Sequence, residues 1–392
     1  MKTAKAKSKD IQPLPFSIYL GTVILITLIG LVVAIYLSVS HYRVYTQLDY
    51  KSFCAISRAI NCDTVSQSSY SIFLNLPVPV WGVIGYGLLL LCLLLAGSKS
   101  AGKQRMWALV FWVSLIFTGY SVILALISTF IIDSYCIMCI VLHAVNLLLL
   151  FYAWIVRKRF STAVLVRDTK EDIRFLWKNR TRNTAALSLF IVAVIGIWIF
   201  YPVYWHFQAP SLSDQIPSGM TESGHPYIGA ESPALEIMEF ADYQCFQCKK
   251  MHFFLRQLVT EHADKLRLIH RHYPMDHTIN PIVKEPFHEG SGIMALIAIS
   301  AMRMNNFWPV NDYLFGVAGK TEVIDLRELA EKTNLNVEAL KQTMNDPKTQ
   351  TELRRDIWKG NKLKITGTPA FVIGGEVYLG HIPPEIIKKG LE

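Results

Sequence analysis

The sequence predicts a multi-domain membrane protein with an all-α bundle of four transmembrane helices, a fifth transmembrane helix, and an α/β domain outside the membrane. Two observations carry this prediction. The chain of 392 residues is 52% hydrophobic with a mean hydropathy of +0.31, which is too apolar for an ordinary soluble protein. The apolar residues are also unevenly distributed, because residues 234–392 have the composition of a globular domain and most of the preceding chain does not.

Five stretches of the chain are apolar over the length of about 17–25 residues that a helix needs to span a bilayer. They cover residues 16–40, 78–96, 107–132, 137–156 and 185–205, and none contains Asp, Glu, Lys or Arg. The first follows four lysines, as the apolar core of a signal peptide does. Its apolar core is too long for that, and no small-residue cleavage site ends it, so we expect a retained helix.

The basic residues predict the orientation of these helices. Sixteen Lys and Arg residues fall in the segments 1–15, 97–106 and 157–184, against three in the segment 41–77. By the positive-inside rule, we expect the N-terminus in the cytoplasm and the chain beyond residue 205 outside it. The formal net charge of +9 is therefore mainly a topology signal, and nucleic acid is not an expected partner.

Composition divides the chain into five segments. They are a basic cytoplasmic N-terminus (1–15), a four-helix transmembrane domain (16–156), a basic cytoplasmic segment with the fifth span (157–206), a flexible linker rich in Ser, Pro and Gly (207–233) and the outer domain (234–392). The basic segment is predicted to be either an amphipathic helix on anionic lipid or a solvated linker. In the outer domain, strands are expected at 234–240, 266–273, 370–375 and 377–380.

Six of the seven cysteines form three pairs on the side predicted to lie outside, where disulfides persist. Cys136 and Cys139 form a C-x-x-C motif at the start of the fourth span. A helix N-terminus favours the thiolate of Cys136, and Cys139 lies deeper on the same face, where a lipid-soluble quinone reaches it most easily. We predict a redox-active pair, with a structural disulfide as the alternative. Cys92 lies among leucines in the second span and is expected to be an inert buried side chain.

Two polar side chains, His143 and Asn146, follow this motif on the same face of the fourth span. Polar groups at this depth are costly and usually have a function. For His143 we predict a hydrogen bond to a quinone carbonyl, with an interhelical hydrogen bond as the alternative. For Asn146 the interhelical hydrogen bond is favoured.

A second pair, Cys54 and Cys62, lies in the loop before the second span. Seven residues separate the two cysteines, which leaves room for a flexible loop. A short polar helix is expected from Asp63 to Ser71, ahead of a helix start at Pro77. We predict that the pair exchanges disulfides, and a static staple of the loop is the alternative.

These features together resemble the vitamin K epoxide reductase family over residues 15–156. The resemblance rests on a cysteine pair ahead of a Ser-containing segment, a proline-led start of the second span, and a C-x-x-C motif that opens the fourth span. It implies a four-helix bundle around a quinone, with Cys139 nearest the ring, Cys136 exchanging with Cys62, and Ser68 near the active site. His143 stands where animal members carry tyrosine, which favours plain quinone over vitamin K epoxide as the acceptor.

The outer domain carries another C-x-x-C motif, Cys245–Cys248, between a predicted strand and a predicted helix. Glu239 lies six residues before Cys245 on that strand, where a buried carboxyl with a raised pKa can pass a proton to Cys248. Thr368–Pro369 precedes a later strand. These elements resemble the thioredoxin superfamily over about residues 230–392, and the helical region between them resembles its DsbA-type branch. The resemblance implies redox-active cysteines with a cis-proline beside them.

The two resemblances imply an enzyme, a quinone-dependent protein-disulfide oxidoreductase of the bacterial cytoplasmic membrane. Electrons would pass from reduced exported proteins to the outer motif, the loop pair, the membrane motif and then a quinone of the lipid bilayer (ubiquinone or menaquinone), with no metal. A disulfide isomerase or reductase is an alternative for the outer domain, since Phe246–Gln247 lacks the histidine that DsbA-type proteins often carry there. A membrane-tethered thiolate metal site is disfavoured, because it needs about four soft ligands.

Overall fold

The computed structural model describes residues 14–392 apart from 58, 99–100, 162–163, 179, 208, 211–215 and 318–323, so most of the predicted basic N-terminus (1–15) lies outside the described residues. The chain divides into two compact units. The first comprises the chain up to residue 43 with residues 51–66 and 70–203. The second comprises residues 204–392 with 44–50 and 67–69.

The first unit is helical. Its elements are α1 (Phe16–Thr46), α2 (Cys62–Gln67), β1 (Ile72–Phe73), β2 (Leu76–Pro77), α3 (Val78–Ala96), α4 (Trp107–Ile127), α5 (Ile137–Phe160), α6 (Leu165–Lys178) and α7 (Arg180–Phe200). Within the described residues, five of these helices are long and apolar enough to cross a membrane: α1, α3, α4 with its extension to Ile132, α5, and α7 from Asn183. The five predicted spans are therefore confirmed, and the chain has the helices of a multi-pass membrane protein.

Small residues let the spanning helices approach one another. A Cβ added to Gly30 on α1 would lie 2.5 Å from the ring of Tyr86 on α3, and one added to Gly85 on α3 would clash with the ring of Phe117 on α4. Close packing of this kind is how helices associate where lipid removes the hydrophobic drive between them. Cys92 lies in the same buried core of α3, as predicted for an inert side chain.

The basic segment after α5 contains a helix that is anchored to the helical unit. On α6, Asp172 accepts hydrogen bonds from the backbone N–H groups of Met106 and Ala108, at 2.8 and 3.0 Å, at the start of α4. Asp168 pairs with Arg157 at 3.1 Å. A helix start leaves N–H groups without partners, so a carboxylate beside it is stabilising. The helix of the first alternative is present as α6, whereas its contact with anionic lipid stays a prediction, and the solvated linker is wrong for the part that forms α6.

The second unit is built on one mixed sheet. Its strands are β3 (Ser218–Met220), β4 (Pro226–Gly229), β5 (Leu235–Ala241), β6 (Leu266–His272), β7 (Ala370–Ile373) and β8 (Glu376–Leu379), in the spatial order β3-β4-β6-β5-β7-β8. Only β5 and β6 are parallel among these neighbouring pairs of described strands. The four strands predicted from the sequence are confirmed as β5 to β8.

Helices connect and cover this sheet. They are α8 (Phe246–Glu261), α9 (Ser291–Arg303), α10 (Phe307–Val317), α11 (Leu326–Thr333), α12 (Val337–Met344), α13 (Pro347–Lys362) and α14 (Pro384–Leu391). The helix α8 links the two parallel strands, and α9 to α13 are inserted between β6 and β7. This insertion is the helical region expected from the sequence. Its apolar side chains share one core with those of the sheet, including Phe240, Leu268, Phe315 and Phe371.

The predicted flexible linker (207–233) is too long. The strands β3 and β4 lie inside it, and β4 pairs with β6 through Tyr227 with Ile269 and Ile228 with Leu268. Ile228 is fully buried. Proline and glycine surround these short strands, so the composition of the segment hides the apolar pair Tyr227 and Ile228. The sheet of the outer domain therefore begins before the predicted boundary at 234.

Candidate active site

Cys54 and Cys62 form a disulfide in the loop between α1 and α3, with their Cα atoms 5.6 Å apart and both side chains buried. The side chain of Asn61 accepts a hydrogen bond from the N–H of Asp63 at 3.0 Å and so starts α2 at Cys62. Asp63 in turn accepts a hydrogen bond from the N–H of Ser52 at 3.1 Å. These contacts tie the two arms of the loop together around the disulfide.

A backbone bridge joins this loop to the start of α5. Ile60 pairs with Tyr135, and the N–H of Asn61 donates a hydrogen bond to the carbonyl of Tyr135 at 3.0 Å. Asn61 and Tyr135 immediately precede Cys62 and Cys136. The bridge therefore places one cysteine of each pair on neighbouring stretches of backbone.

Cys136 is the N-cap residue of α5. Its Sγ accepts a hydrogen bond from the backbone N–H of Cys139 at 3.2 Å, which satisfies one of the N–H groups at the helix start. Cys136 is 3% exposed, whereas Cys139 is half-buried one turn further along. Hydrogen bonding with Cys139 lowers the pKa of Cys136, which is the direction predicted for a thiol at a helix start.

All four of these cysteines belong to one buried cluster, which we call the cysteine cluster. It comprises Leu37, Cys54, Cys62 and Cys136, with Val33, Tyr36, Cys139 and Leu142 among the residues packed against them. Cys92 belongs to a different cluster, built on the leucines of α3 and α5. The structure thus brings together the four cysteines of the first unit that were predicted as a site and leaves Cys92 apart from them.

The polar residues of α5 differ in their contacts. Asn146 accepts a hydrogen bond from the hydroxyl of Tyr86 at 2.7 Å and donates one to Ser121 at 2.9 Å, which confirms its predicted interhelical role. The Nδ1 atom of His143 is buried and has no hydrogen-bond partner among the described residues. A quinone carbonyl accepts hydrogen bonds, so an imidazole nitrogen without a partner, one turn from Cys139, fits the cofactor that the resemblance implies.

Ser68 lies in the bend that follows α2 and is half-buried. The next three residues, Ser69–Ser71, form a turn of 3₁₀-helix. The short polar helix expected in this segment is therefore present as α2 and this turn. The role of Ser68 near the active site stays a prediction.

The outer motif repeats the geometry of the first one. Cys245 is the N-cap residue of α8, and its Sγ accepts a hydrogen bond from the N–H of Cys248 at 3.2 Å. The thiol of Cys245 also donates to the carbonyl of Thr368 at 3.4 Å. The peptide bond between Thr368 and Pro369 is cis. The predicted cis-proline beside the motif is therefore confirmed.

Burial and hydrogen bonding make the two outer thiols different. Cys245 is 8% exposed and Cys248 is completely buried. Hydrogen bonding with Cys248 lowers the pKa of Cys245, whereas burial raises the pKa of Cys248 well above its usual range. This arrangement suits a thiolate nucleophile at Cys245 and a thiol at Cys248 that must lose its proton before it reacts.

Glu239 lies in the middle of β5, between His270 of β6 and Phe371 of β7. Its side chain is completely buried, and neither carboxylate oxygen makes a hydrogen bond to a described residue. Burial raises its pKa to about 7. The carboxyl has the burial and the raised pKa that were predicted, and its proton transfer to Cys248 stays a prediction.

His288 lies beside the outer motif and was not predicted from the sequence. Its Nδ1 atom is 3.1 Å from the carboxylate of Asp242, and the side chain of Gln244 donates a hydrogen bond to the carbonyl of Glu289 at 2.6 Å. After the hydrogen bond within the motif, positive charge on His288 also lowers the pKa of Cys245. The loop after β6 thus supplies a histidine that the dipeptide between the cysteines lacks, and no local sequence pattern signals it.

Two family models match the chain. Residues 22–154 match the vitamin K epoxide reductase family, and residues 221–392 match a thioredoxin model. Each match encloses one C-x-x-C motif described above. The chain therefore joins a vitamin K epoxide reductase family domain to a C-terminal thioredoxin-like domain.

Several solved structures are similar to part of the chain. Oxidised BdbD from Bacillus subtilis is 21% identical, with 45% of this chain and 97% of that chain covered and a TM-score of 0.36. The thiol-disulfide exchange protein alpha-DsbA2 from Wolbachia pipientis is 18% identical, with 43% and 85% covered and a TM-score of 0.36. A thioredoxin-like oxidoreductase from Silicibacter pomeroyi is 21% identical, with 42% and 89% covered and a TM-score of 0.35.

Curated relatives match a smaller part of their own length. The Na(+)/H(+) antiporter NhaA 1 of Salinispora arenicola is 22% identical over 152 residues, which are 39% of this chain and 22% of that protein. The Na(+)/H(+) antiporter NhaA of Herminiimonas arsenicoxydans is 24% identical over 217 residues, which are 54% of this chain and 33% of that protein. The chain thus spans between a fifth and a third of the length of these relatives, and their transport activity is not carried over to it.

Proposed function

We propose that the protein is a quinone-dependent protein-disulfide oxidoreductase of the bacterial cytoplasmic membrane, which generates disulfides in exported proteins. The observation that carries the proposal is the cysteine cluster, in which two cysteine pairs of the membrane unit lie together. Disulfide exchange requires a thiolate to reach the sulfur of another pair, and a staple that only closes a loop needs no second pair beside it. The two family matches support the same class of chemistry.

The first step takes place at the outer motif in its disulfide form. A substrate thiolate attacks the Sγ atom of Cys245, the bond to Cys248 breaks, and Cys248 leaves as a thiolate that takes up one proton. The second substrate thiol loses its proton and attacks the mixed disulfide, which releases Cys245 and completes the substrate disulfide. Two electrons then reside on the outer dithiol. The lowered pKa of Cys245 makes it a good leaving group in this second attack.

The outer dithiol is oxidised by the loop pair in the next step. The thiolate of Cys245 attacks Cys54, and Cys62 leaves. Cys248 then loses its proton and attacks Cys245, which restores the outer disulfide and leaves the loop pair reduced. Cys62 is the member of the loop pair that adjoins the backbone bridge to α5, so it is the one placed to pass the electrons on.

The last protein step lies within the cysteine cluster. Cys62 attacks Cys136, Cys139 leaves, and Cys54 resolves the mixed disulfide, so that the loop disulfide forms again and the C-x-x-C motif of α5 is reduced. A quinone bound here would supply the acceptor for the two electrons and two protons of the reduced motif. Cys139 lies one turn further into α5 than Cys136 and is half-buried, so it would contact the quinone ring. His143 would hold the quinone carbonyl through Nδ1, which has no partner among the described residues.

This reaction needs the outer domain to be outside the cytoplasm, where reduced exported proteins are its substrates. The asymmetry of basic residues supports that orientation, with the spans in the lipid bilayer and the segment 157–184 in the cytoplasm. We propose that residues 16–156 form the membrane redox domain and that the outer domain starts at β3. Ser68 is proposed as a residue close to the loop pair.

The test is oxidation of a reduced unfolded protein by the purified full-length chain in detergent, without oxygen, in the presence and absence of quinone. We expect repeated turnover only with quinone, and its loss in Cys139→Ala. The matched control is Cys92→Ser, which also removes a cysteine from a spanning helix but lies outside the cysteine cluster. A loss greater than about tenfold in this control, about 1.4 kcal/mol in barrier, would contradict the pairing. Disulfide reshuffling without net oxidation would identify an isomerase instead.

A further inference from the structure

Three buried polar side chains lie together on one face of the sheet in the second unit. Glu239, His270 and His272 are at most 2% exposed, and their carboxylate oxygens and ring nitrogens make no hydrogen bond to a described residue. On the parallel strands, Glu239 pairs with His270 and Ala241 pairs with His272, so the three side chains share one face. Buried polar groups are nearly always hydrogen-bonded in native proteins, so three neighbours of this kind indicate a function or bound water.

The three side chains form a continuous row. The Oε2 atom of Glu239 lies 3.4 Å from Nδ1 of His270, and the ring centroids of His270 and His272 are 4.8 Å apart. Such separations allow direct proton exchange after small side-chain rotations, or exchange through one water molecule. The row therefore has the spacing of a hydrogen-bonded relay.

The inner end of the row is Glu239, on the strand that leads into the outer motif. The strand that carries Glu239 runs directly into the turn that presents Cys245. On α8, Cys248 and His252 are four residues apart on one helix face, and both are completely buried. Burial raises the pKa of Glu239, and positive charge on His252 opposes that shift, so the carboxyl is within electrostatic reach of this face of α8.

The outer end of the row lies at a surface pocket. His272 lines this pocket together with Ser223, His225 and Asp356. Nε2 of His225 is 2.8 Å from the carboxylate of Asp356, and its Nδ1 is 3.0 Å from the hydroxyl of the exposed Ser223. The residues that line the pocket do not include the cysteines of the outer motif. The pocket thus brings solvent next to the buried ring of His272, away from the thiols.

We propose that Glu239, His270 and His272 form a proton path between Cys248 and the solvent in the pocket at His225, with water molecules bridging its gaps. The path rests on the proposed function. In that reaction Cys248 takes up one proton when the outer disulfide opens and loses one before it resolves the mixed disulfide. Cys245 is joined to a substrate at the first moment and to Cys54 at the second, so the motif is covered both times, whereas the pocket lies away from the thiols.

Neutral imidazoles suit this path. Burial lowers the pKa of His270 to about 3 and that of His272 well below its usual range, so each ring carries one N–H and one acceptor nitrogen at neutral pH. A ring that accepts a proton at one nitrogen releases one from the other, so no net charge is left in the core. The titratable and charged groups around the row have partners: His252 and Arg256 of α8 contact Asp312 of α10, and His225 and Arg271 contact Asp356 of α13.

The test uses the full-length chain with Cys54→Ala and Cys62→Ala, which confines exchange to the outer motif. The oxidised protein is mixed with an excess of a reduced two-cysteine peptide, and loss of the outer disulfide is followed by acid quenching, alkylation and mass spectrometry. We expect His272→Gly to slow this loss by about tenfold or more, as removal of a general acid–base group does. Because His272 lines the pocket, added imidazole should restore the rate, and substituted imidazoles should restore it in the order of their basicity.

The matched control is His381→Gly, which removes an exposed histidine from the same unit and should neither slow the reaction nor respond to imidazole. An unchanged rate in His272→Gly, or equal rescue by all imidazoles, would overturn the path, since a space-filling role does not depend on basicity. If His272→Gly fails to fold, the same rate is measured in His272→Asn, once its melting temperature has been shown to match that of the parent protein. A slowed rate there supports the path and an unchanged rate overturns it. A parent protein that does not oxidise the peptide contradicts the proposed function itself.

Discussion

The backbone N–H of Asn61 donates a hydrogen bond to the carbonyl of Tyr135 at 3.0 Å, and each of these residues immediately precedes a cysteine. The hydroxyl of Ser134 also donates to the carbonyl of Asn61 at 3.4 Å. These bonds hold the loop that carries Cys62 against the start of the helix that Cys136 caps. The exchange that we propose between the two pairs therefore takes place within the membrane unit and requires no large movement of the loop.

The contact between α6 and the start of α4 should stabilise the membrane unit. Asp172→Ala leaves the N–H groups of Met106 and Ala108 without their acceptor, which should cost roughly 1–3 kcal/mol of stability. The measurement is the melting temperature of the purified chain in detergent. The matched control is Glu171→Ala, whose partially exposed carboxylate pairs with Arg105 and should lower the melting temperature less, because solvent screens an exposed ion pair. Equal losses in both variants would show that the carboxylate of Asp172 does not anchor α4.

His143 should act in the use of quinone and not in the exchange between thiols. His143→Leu removes one neutral hydrogen bond of about 0.5–1.5 kcal/mol, so we expect a defect of about two- to tenfold in the dependence of turnover on quinone concentration. Exchange between the outer motif and the loop pair, measured by alkylation, should be unaffected. Leu147→Ala on the exposed side of α5 is the control and should leave both unchanged. Unaltered quinone kinetics in His143→Leu would assign the residue to helix packing.

The buried carboxyl of Glu239 should make stability depend on pH. Its pKa is raised from 4.5 to about 7, so the folded protein binds this proton more tightly than the unfolded chain does. The protonated carboxyl contributes its full stability below pH 4.5, and this contribution is lost as the pH rises through 7. The free energy of unfolding should fall by about 3 kcal/mol over that range. Glu239→Gln should remove that part of the pH dependence, as measured by melting temperatures between pH 5 and pH 8. The same slope in both proteins would mean that the carboxyl titrates normally.

The orientation of the chain is open to a direct test. Reporter fusions after residue 165 should be active in the cytoplasm, and fusions after residue 210 should be active outside it. The reason is that the basic residues concentrate in the segments 1–15, 97–106 and 157–184, on one side of the spans. The reverse pattern would put Cys245 in a reducing compartment and end the proposal of a disulfide-generating enzyme.

The sequence predicts those features of this protein that depend on local patterns. Apolar length identifies the five spans, and cysteine spacing together with the following apolar run identifies both C-x-x-C helix starts. The strands β3 and β4 were missed because three- and four-residue strands between proline and glycine carry too few apolar residues to show a period. His288 and the pair His270 and His272 acquire their roles from contacts with distant parts of the chain, and no local pattern reports such contacts.

The central claim is that electrons pass from the loop pair to the motif on α5 through Cys62 and Cys136. The variant Cys54→Ala with Cys139→Ala leaves each of these two cysteines without its own partner, and a mixed disulfide persists when the resolving thiol is absent. Peptide mapping by mass spectrometry under non-reducing conditions should recover Cys62 linked to Cys136. Recovery of Cys136 as a free thiol, with Cys62 either free or linked to Cys245, would contradict the account.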